Sequence, residues 1–214
     1  MSHQRRGLIL LLPTLIAILA GCGSDPGGDF VIGDIDQAQL PISGASQKIA
    51  DAFGLLRAGS ATQSRELFNK VLTDSPSTSD RALAWAGVGF ADVRLKGSQD
   101  GINEFETALG IDSSSPEARV GLAGALISRG ANLDVLRSIE LLQGLGPNNP
   151  EFIYQDRFGL GISNAEVHAL LAYALFVSGD QAGSNTQANI ARRLDANFAN
   201  TNVGNILDVI SFIP

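Results

Sequence analysis

Few side chains in this sequence could perform covalent or metal chemistry. The only cysteine is Cys22, and the histidines are His3 and His168. No cysteine, second histidine or cluster of carboxylates stands at ligand spacing from His168, so we expect it to be a packed or surface histidine. The sequence therefore predicts no Ser-His-Asp or Cys-His mechanism, no metal site and no cofactor.

Carboxylates are the remaining candidates for catalysis. Glycoside cleavage uses two of them on opposite sides of the scissile bond, one as an acid and the other as a base or nucleophile. No motif pairs any two of the available glutamates, and charge on helix surfaces is the ordinary explanation for them. These glutamates are Glu104, Glu106, Glu117, Glu140, Glu151 and Glu166.

Two glycine-rich stretches resemble phosphate-binding loops only superficially. They are GVGFAD at 87–92 and GLAGAL at 121–126. Both fall inside predicted helices, without a preceding strand and without a P-loop lysine. We interpret them as positions where helices pack closely.

The amino terminus, residues 1–21, has the layout of a secretory signal peptide. Arg5 and Arg6 precede an apolar stretch from Gly7 to Ala20 that is interrupted by Pro13. A helix of that length is too short to cross a hydrocarbon layer of roughly 30 Å. A transmembrane anchor is therefore the weaker interpretation.

The segment Leu19-Ala20-Gly21-Cys22 resembles the lipobox of bacterial lipoproteins. The resemblance implies cleavage before Cys22, a diacylglyceryl thioether on its sulfur, and usually acylation of the new amino terminus. One acyl chain gives only marginal membrane binding, whereas two or three make it durable. Cys22 is then a membrane anchor, and no thiol remains for catalysis or disulfides.

The predicted mature chain is strongly acidic. Of the 15 basic residues, Arg5 and Arg6 leave with the signal peptide, so 13 basic residues face 22 acidic ones and the net charge is −9. Such a surface repels phosphate backbones, and nucleic acid is not an expected partner. Residues 22–46 comprise the lipidated cysteine and a glycine- and aspartate-rich segment without periodicity, which we predict to be a flexible tether.

Residues 47–200 change character and show four helix pairs. A turn glycine divides the two helices of each pair. The helix after the glycine has apolar residues at three- and four-residue steps. The glycines are separated by 38, 33 and 49 residues, which brackets a period typical of helical repeats. They are Gly59, Gly97, Gly130 and Gly179.

Small residues where the two helices of a pair would cross give these units a resemblance to tetratricopeptide (TPR) repeats. Phe68 and Phe105 occupy the large apolar position of the second helix in that family. The resemblance implies an all-α solenoid of about four repeats; a HEAT-like solenoid is the alternative. The crossing pairs are Ala52 with Ser64, Gly89 with Gly101, Ala123 with Val135, and Ala172 with Ser184.

Helix caps and the carboxyl terminus support this division. Ser60 with Gln63 and Ser163 with Glu166 have capping-box spacing, and Ser115 precedes a proline and an acidic residue. Residues 201–214 place Val203, Ile206, Ile210 and Ile213 on one face. We predict a terminal helix that covers the end of the solenoid.

Two sets of aromatic residues are the candidate binding surfaces. In the TPR family the first helices line a concave groove, and the aromatic residues expected there are Phe53, Phe90, Tyr173 and Phe176. The second set lies in the long loop 147–164 and consists of Phe152, Tyr154 and Phe158. Partner contact and simple packing between helices are both open for each set.

Together these patterns favour a lipid-anchored TPR scaffold that binds proteins or peptides of the bacterial cell envelope. This plan is similar to that of the TPR lipoproteins of β-barrel and pilus assembly. Gly23, which follows the cysteine, favours the periplasmic face of the outer membrane. The alternative is an envelope hydrolase with a carboxylate pair on a helical scaffold, for example one that cleaves cell-wall glycan.

Overall fold

The computed structural model describes residues 44–149 and 152–211, and in these ranges the chain is all-helical. The predicted signal peptide, Cys22 and nearly all of the predicted tether lie outside the described residues. Short 3-10 turns occur at Ser98–Gly101 and Phe198–Asn200. The α-helices are α1 Gly44–Arg57, α2 Ala61–Asp74, α3 Thr78–Leu95, α4 Ile102–Ile111, α5 Pro116–Arg129, α6 Asn132–Gln143, α7 Asn164–Ser178, α8 Gln181–Leu194 and α9 Asn202–Ser211.

The helices form a solenoid-like stack of four pairs. Each helix packs against the next in the chain, and the first helices of the pairs also touch in the order α1, α3, α5, α7. The central helices are covered on nearly every side, and α5 buries 11 of its 14 residues. The predicted all-α solenoid-like architecture is therefore confirmed.

Small residues allow the two helices of a pair to approach closely, as predicted. Ser64 Oγ donates a hydrogen bond to the carbonyl oxygen of Ala52 at 2.8 Å. A methyl group added to Gly101 would lie 2.5 Å from the carbonyl oxygen of Gly89. Real Cβ atoms do not come so near to backbone oxygen, so glycine is required at this crossing. The members of the other two predicted pairs are also buried: Ala123, Val135, Ala172 and Ser184.

Phenylalanine rings join one pair to the next. The Phe68 ring of α2 lies against Gly87 of α3, and the Phe105 ring of α4 lies against Gly121 of α5. A Cβ atom at either glycine would overlap the ring. Both glycine-rich stretches are thus packing positions inside helices, as their sequence context indicates.

Most predicted helix boundaries are confirmed, with one error. Ser163 and Glu166 form a complete capping box, and Ser115 accepts a hydrogen bond from the backbone of Ala118. The capping box predicted at Ser60 is wrong. Its backbone, at φ −86° and ψ 56°, lies outside the β region that a capping side chain needs, and its hydroxyl makes no capping bond.

The ends of the stack differ slightly from the predicted boundaries. Helix α1 begins at Gly44, inside the range 22–46 predicted as tether. At the other end α9 packs mainly against α7 and buries Val203, Ile206 and Leu207. Its residue Asn202 donates a hydrogen bond to the Glu166 carboxylate at 3.0 Å. This helix covers the end of the stack, as predicted for 201–214.

Candidate functional site

The long connection between α6 and α7 folds back over the helix stack. We call its residues 152–163 the cover loop. Three of its side chains are buried, with only 6% of Tyr154, 5% of Leu160 and 3% of Ile162 exposed. The loop is therefore part of the packed structure and brings several of the predicted aromatic residues together.

An ion pair between a half-exposed arginine and a buried glutamate attaches the cover loop to α5. Arg157 donates two hydrogen bonds to Glu117, from Nε to Oε1 at 2.9 Å and from Nη2 to Oε2 at 2.8 Å. Only 2% of the Glu117 side chain is exposed, against 53% of the Arg157 side chain. Glu117 lies in the first turn of α5, where the helix dipole also favours a negative charge.

The neighbouring residue attaches the cover loop to α1. The Phe158 ring stacks on Phe53 with 4.2 Å between ring centroids and 19° between ring planes. Phe53 in turn meets Phe68 edge to face, at 4.8 Å and 73°. Two consecutive loop residues, Arg157 and Phe158, therefore bridge the third and the first helix pairs.

Hydrogen bonds within the cover loop fix its shape. The Asp156 carboxylate accepts bonds from the backbone N–H groups of Leu160 and Gly161, both at 2.8 Å. The backbone N–H of Tyr154 donates to Asn164 Oδ1 at 2.9 Å. These bonds hold the loop in a compact turn, so its position does not depend on the two anchors alone.

The Tyr154 hydroxyl is buried and has no hydrogen-bond partner among the described residues. Burial raises the pKa of this phenol, and the nearby charges of Glu117 and Asp156 raise it further. Tyr154 therefore stays neutral close to the Glu117 carboxylate. In such surroundings an unpaired carboxylate would be costly.

The structure separates the four aromatic residues of the predicted groove. Phe53 and Phe90 belong to the core, with 1% and 3% of their surface exposed. Phe90 packs edge to face against Phe105 at 4.9 Å. For these two residues the packing alternative holds. Tyr173 and Phe176 on α7 are half-buried, and burial raises the pKa of Tyr173.

The loop aromatics also pack against the helices. Phe152 is half-buried and meets the His168 ring at 6.0 Å, while Tyr154 is buried and Phe158 is stacked on Phe53. Phe152 and Tyr154 thus help to close the gap between the last two pairs, whereas Phe158 reaches the first pair. The exposed large apolar side chain of this segment is Ile153, 69% of whose surface is open to solvent.

A second polar cluster surrounds His168, which is packed as predicted. The Nδ1 atom of His168 lies 2.6 Å from Gln187 Oε1, and Gln187 Nε2 donates to Asn148 Oδ1 at 3.2 Å. Burial lowers the pKa of His168, partly offset by its hydrogen bond to Gln187. A cleft of about 320 Å³ borders this cluster.

Comparison with known proteins identifies no family for the chain. No protein-family model matches the chain. No curated protein matches it significantly. The chain's own residues are therefore the basis for a functional proposal.

Several candidate glutamates have structural partners. Glu117 is held by Arg157, Glu166 belongs to the α7 cap, and Glu106 forms a surface ion pair with Arg137 at 2.6 Å. Glu151 lies outside the described residues. Within residues 44–149 and 152–211, no group of three histidine, cysteine or acidic side chains could hold a metal ion, and no helix has the length and apolar character to cross a membrane.

Sequence reasoning missed the ion pair that organises the site. Arg157 and Glu117 are 40 residues apart and belong to no spacing motif. A weak signal exists for each residue. Glu117 follows an N-cap serine and a proline, and Arg157 stands in an otherwise aromatic loop beside Phe158.

Proposed function

We propose that this protein is a lipid-anchored, TPR-like scaffold that binds other proteins of the bacterial cell envelope. The observation that carries the proposal is the face formed by α1 and α5. There a buried carboxylate and an aromatic surface together receive a turn of the chain, residues Arg157 and Phe158 of the cover loop. Surfaces that hold a peptide segment by a few side-chain anchors are a recurrent form of recognition.

The envelope location rests on the amino-terminal sequence. The lipobox around Cys22 and the signal-like residues 1–21 support export and lipidation. The glycine after the cysteine favours the outer membrane over the inner one. Multiple acyl chains on Cys22 would hold the helical stack close to that membrane.

The two most buried candidate glutamates already have structural roles, which weighs against the alternative hydrolase. Glycoside cleavage needs two carboxylates that both face substrate. Glu117 and Glu166, the most buried of the candidates, are engaged by Arg157 and by a helix cap. A scaffold explains their burial without requiring a reaction.

Photo-crosslinking in intact cells tests the scaffold function. A photoreactive residue would replace Tyr173 or Phe176 of the predicted groove, or Ile153 of the cover loop, all of which reach solvent. Exposed positions Lys70 on α2 and Asn103 on α4 are the matched controls. We expect the first three positions to capture the same envelope proteins and the controls to capture none of them. Capture that does not depend on position, or no capture, would refute the proposal.

The lipid anchor has a separate test. Cells that express the Cys22→Ser variant should accumulate an uncleaved precursor without labelled palmitate, because the acceptor sulfur is missing. The wild-type chain should carry the label. A processed product from the variant would contradict the lipobox assignment.

A further inference from the structure

We propose that the Arg157-Phe158 turn of the cover loop occupies the place of a partner segment, and that a partner binds by displacing this turn with a basic residue on Glu117 and an aromatic ring on Phe53. The inference rests on the proposed scaffold function and names the chemistry of its partner. The occupant is a peptide segment that places an adjacent basic and aromatic residue at a turn, of which Arg157-Phe158 of the chain itself is the example.

Glu117 determines the first feature of that partner. Its carboxylate is almost completely buried, and both of its oxygens accept hydrogen bonds from a guanidinium that the cover loop supplies. A buried carboxylate that loses its cation is strongly unfavourable. A segment that displaces the loop must therefore bring its own cation, and the bidentate geometry favours arginine over lysine.

Phe53 determines the second feature. Its ring has the edge of Phe68 on one side and the stacked ring of Phe158 on another. Removal of Phe158 would expose an apolar surface that another aromatic ring can cover with the same offset stacking. Because consecutive residues now reach Glu117 and Phe53, the partner needs its basic and aromatic residues next to each other.

The cover loop is suited to displacement. Arg157 is about half exposed and Phe158 is half-buried, so both anchors lie at the solvent edge of the packed loop. Arg157 and Phe158 form a turn between the buried residues Tyr154 and Leu160, so this turn can open while those flanking side chains stay in the core. The acidic character of the chain, with a net charge of −7, also attracts basic segments.

Binding of a synthetic peptide tests this inference. The probe is a fluorescein-labelled peptide with the sequence of residues 152–162, FIYQDRFGLGI, and the protein is the full-length chain in detergent. We expect the double variant Arg157→Ala/Phe158→Ala to bind it more than about a hundredfold more tightly than wild type, because in wild type the Arg157-Phe158 turn must open before the peptide can bind. A peptide with glutamate in place of arginine should bind the variant about tenfold more weakly.

The control variant is Arg137→Ala, which removes an ion pair of similar length between α4 and α6. It should bind the probe as wild type does. Equal binding by wild type and the double variant, or no binding by a double variant whose circular dichroism is native, would overturn the inference.

Hydrogen exchange in wild type provides a test that does not need a folded variant. Saturating peptide should accelerate exchange at the amides of Leu160 and Gly161, which are protected by Asp156 when the loop is in place. Unchanged exchange at saturation would overturn displacement. The outcomes also separate the two proposals, since captured envelope proteins with no peptide effect refute displacement alone, whereas no captured protein refutes the scaffold.

Discussion

The first three helix pairs and the connection to the fourth are held together in different ways. Within residues 44–143, phenylalanine rings insert against glycines of the next helix, as Phe68 does at Gly87 and Phe105 does at Gly121. In the same range the buried carboxylate of Asp92 on α3 pairs with Arg65 of the preceding helix, α2, at 2.6 Å. The cover loop instead reaches back to α5 and α1 through an ion pair and a ring stack.

This difference follows from the spacing of the units. Turn glycines 38 and 33 residues apart leave room only for short connections, so neighbouring pairs must meet through their helices. The 49-residue interval between Gly130 and Gly179 adds a segment that is free to cross the stack. Regular spacing therefore produces local packing, and the insertion produces contacts between distant parts of the chain.

The largest effect on stability is expected from Gly101→Ala in the regularly spaced helix pairs, residues 44–143, which we call the regular region. The added methyl group would lie 2.5 Å from the Gly89 carbonyl oxygen, and backbone cannot move away as a flexible side chain can. We expect a loss of about 3 kcal/mol in the free energy of unfolding, because overpacked cores force backbone shifts. Urea denaturation followed by circular dichroism would measure it.

Gly110→Ala is the matched control, since it lies in the same helix region and has open space around its Cβ position. It should raise the free energy of unfolding by about 0.5 to 1 kcal/mol, because alanine favours helix over glycine. If both substitutions had the same small effect, close approach at Gly101 would not be what holds the second pair together.

The close packing of this region was largely predictable from the sequence, whereas the site was not. Small residues at Gly89 and Gly101, and the aromatic positions Phe68 and Phe105, belong to a repeated local pattern. Glu117 and Arg157 meet only because the stack brings α5 beneath a loop 40 residues away. For the same reason Phe53, predicted to line an open groove, is covered by Phe158.

At the contact between the cover loop and α5, Glu117→Gln is expected to have the next largest effect. The substitution keeps the shape of the side chain but removes the charge that accepts two hydrogen bonds from Arg157. We expect a loss of about 2 kcal/mol, because hydrogen bonds to a buried charge are stronger than neutral ones. Chemical denaturation at neutral pH would measure it.

The exposed pair of Glu106 and Arg137 provides the comparison, at a similar distance of 2.6 Å. Glu106→Gln should cost less than about 1 kcal/mol, because solvent screens surface pairs. Equal losses for the two substitutions would mean that burial of Glu117 does not strengthen the loop contact.

A smaller loss is expected from removal of the ring that covers α1. Phe158→Ala should lower the free energy of unfolding by about 1.5 kcal/mol, because it exposes part of Phe53 and removes a stacked pair. Ile153→Ala in the same loop should change it by less than about 0.5 kcal/mol, since the side chain is 69% exposed. A larger effect at Ile153 than at Phe158, measured by thermal unfolding, would contradict the assigned loop position.

The smallest expected effect is the pH dependence of stability, which differs between the last helix pair and the first three pairs. Burial lowers the pKa of His168 from its ordinary 6.5, so below that pH the unfolded chain binds a proton before the folded one does. Stability contributed by the last helix pair is therefore complete above about pH 6.5 and declines as the pH falls through the folded pKa of His168.

The regular region responds in a more acidic range. Hydrogen bonds from Arg129 to Asp134 and from Ser114 to Asp112 lower the pKa of each carboxyl from 3.8. Their contributions persist above the unfolded pKa and are lost only as the pH falls below it. The urea concentration at the unfolding midpoint should therefore be lower at about pH 5 than at about pH 7.5 in wild type. The difference should be smaller in His168→Gln. An equal shift in both proteins would assign the pH response to groups outside the His168 cluster.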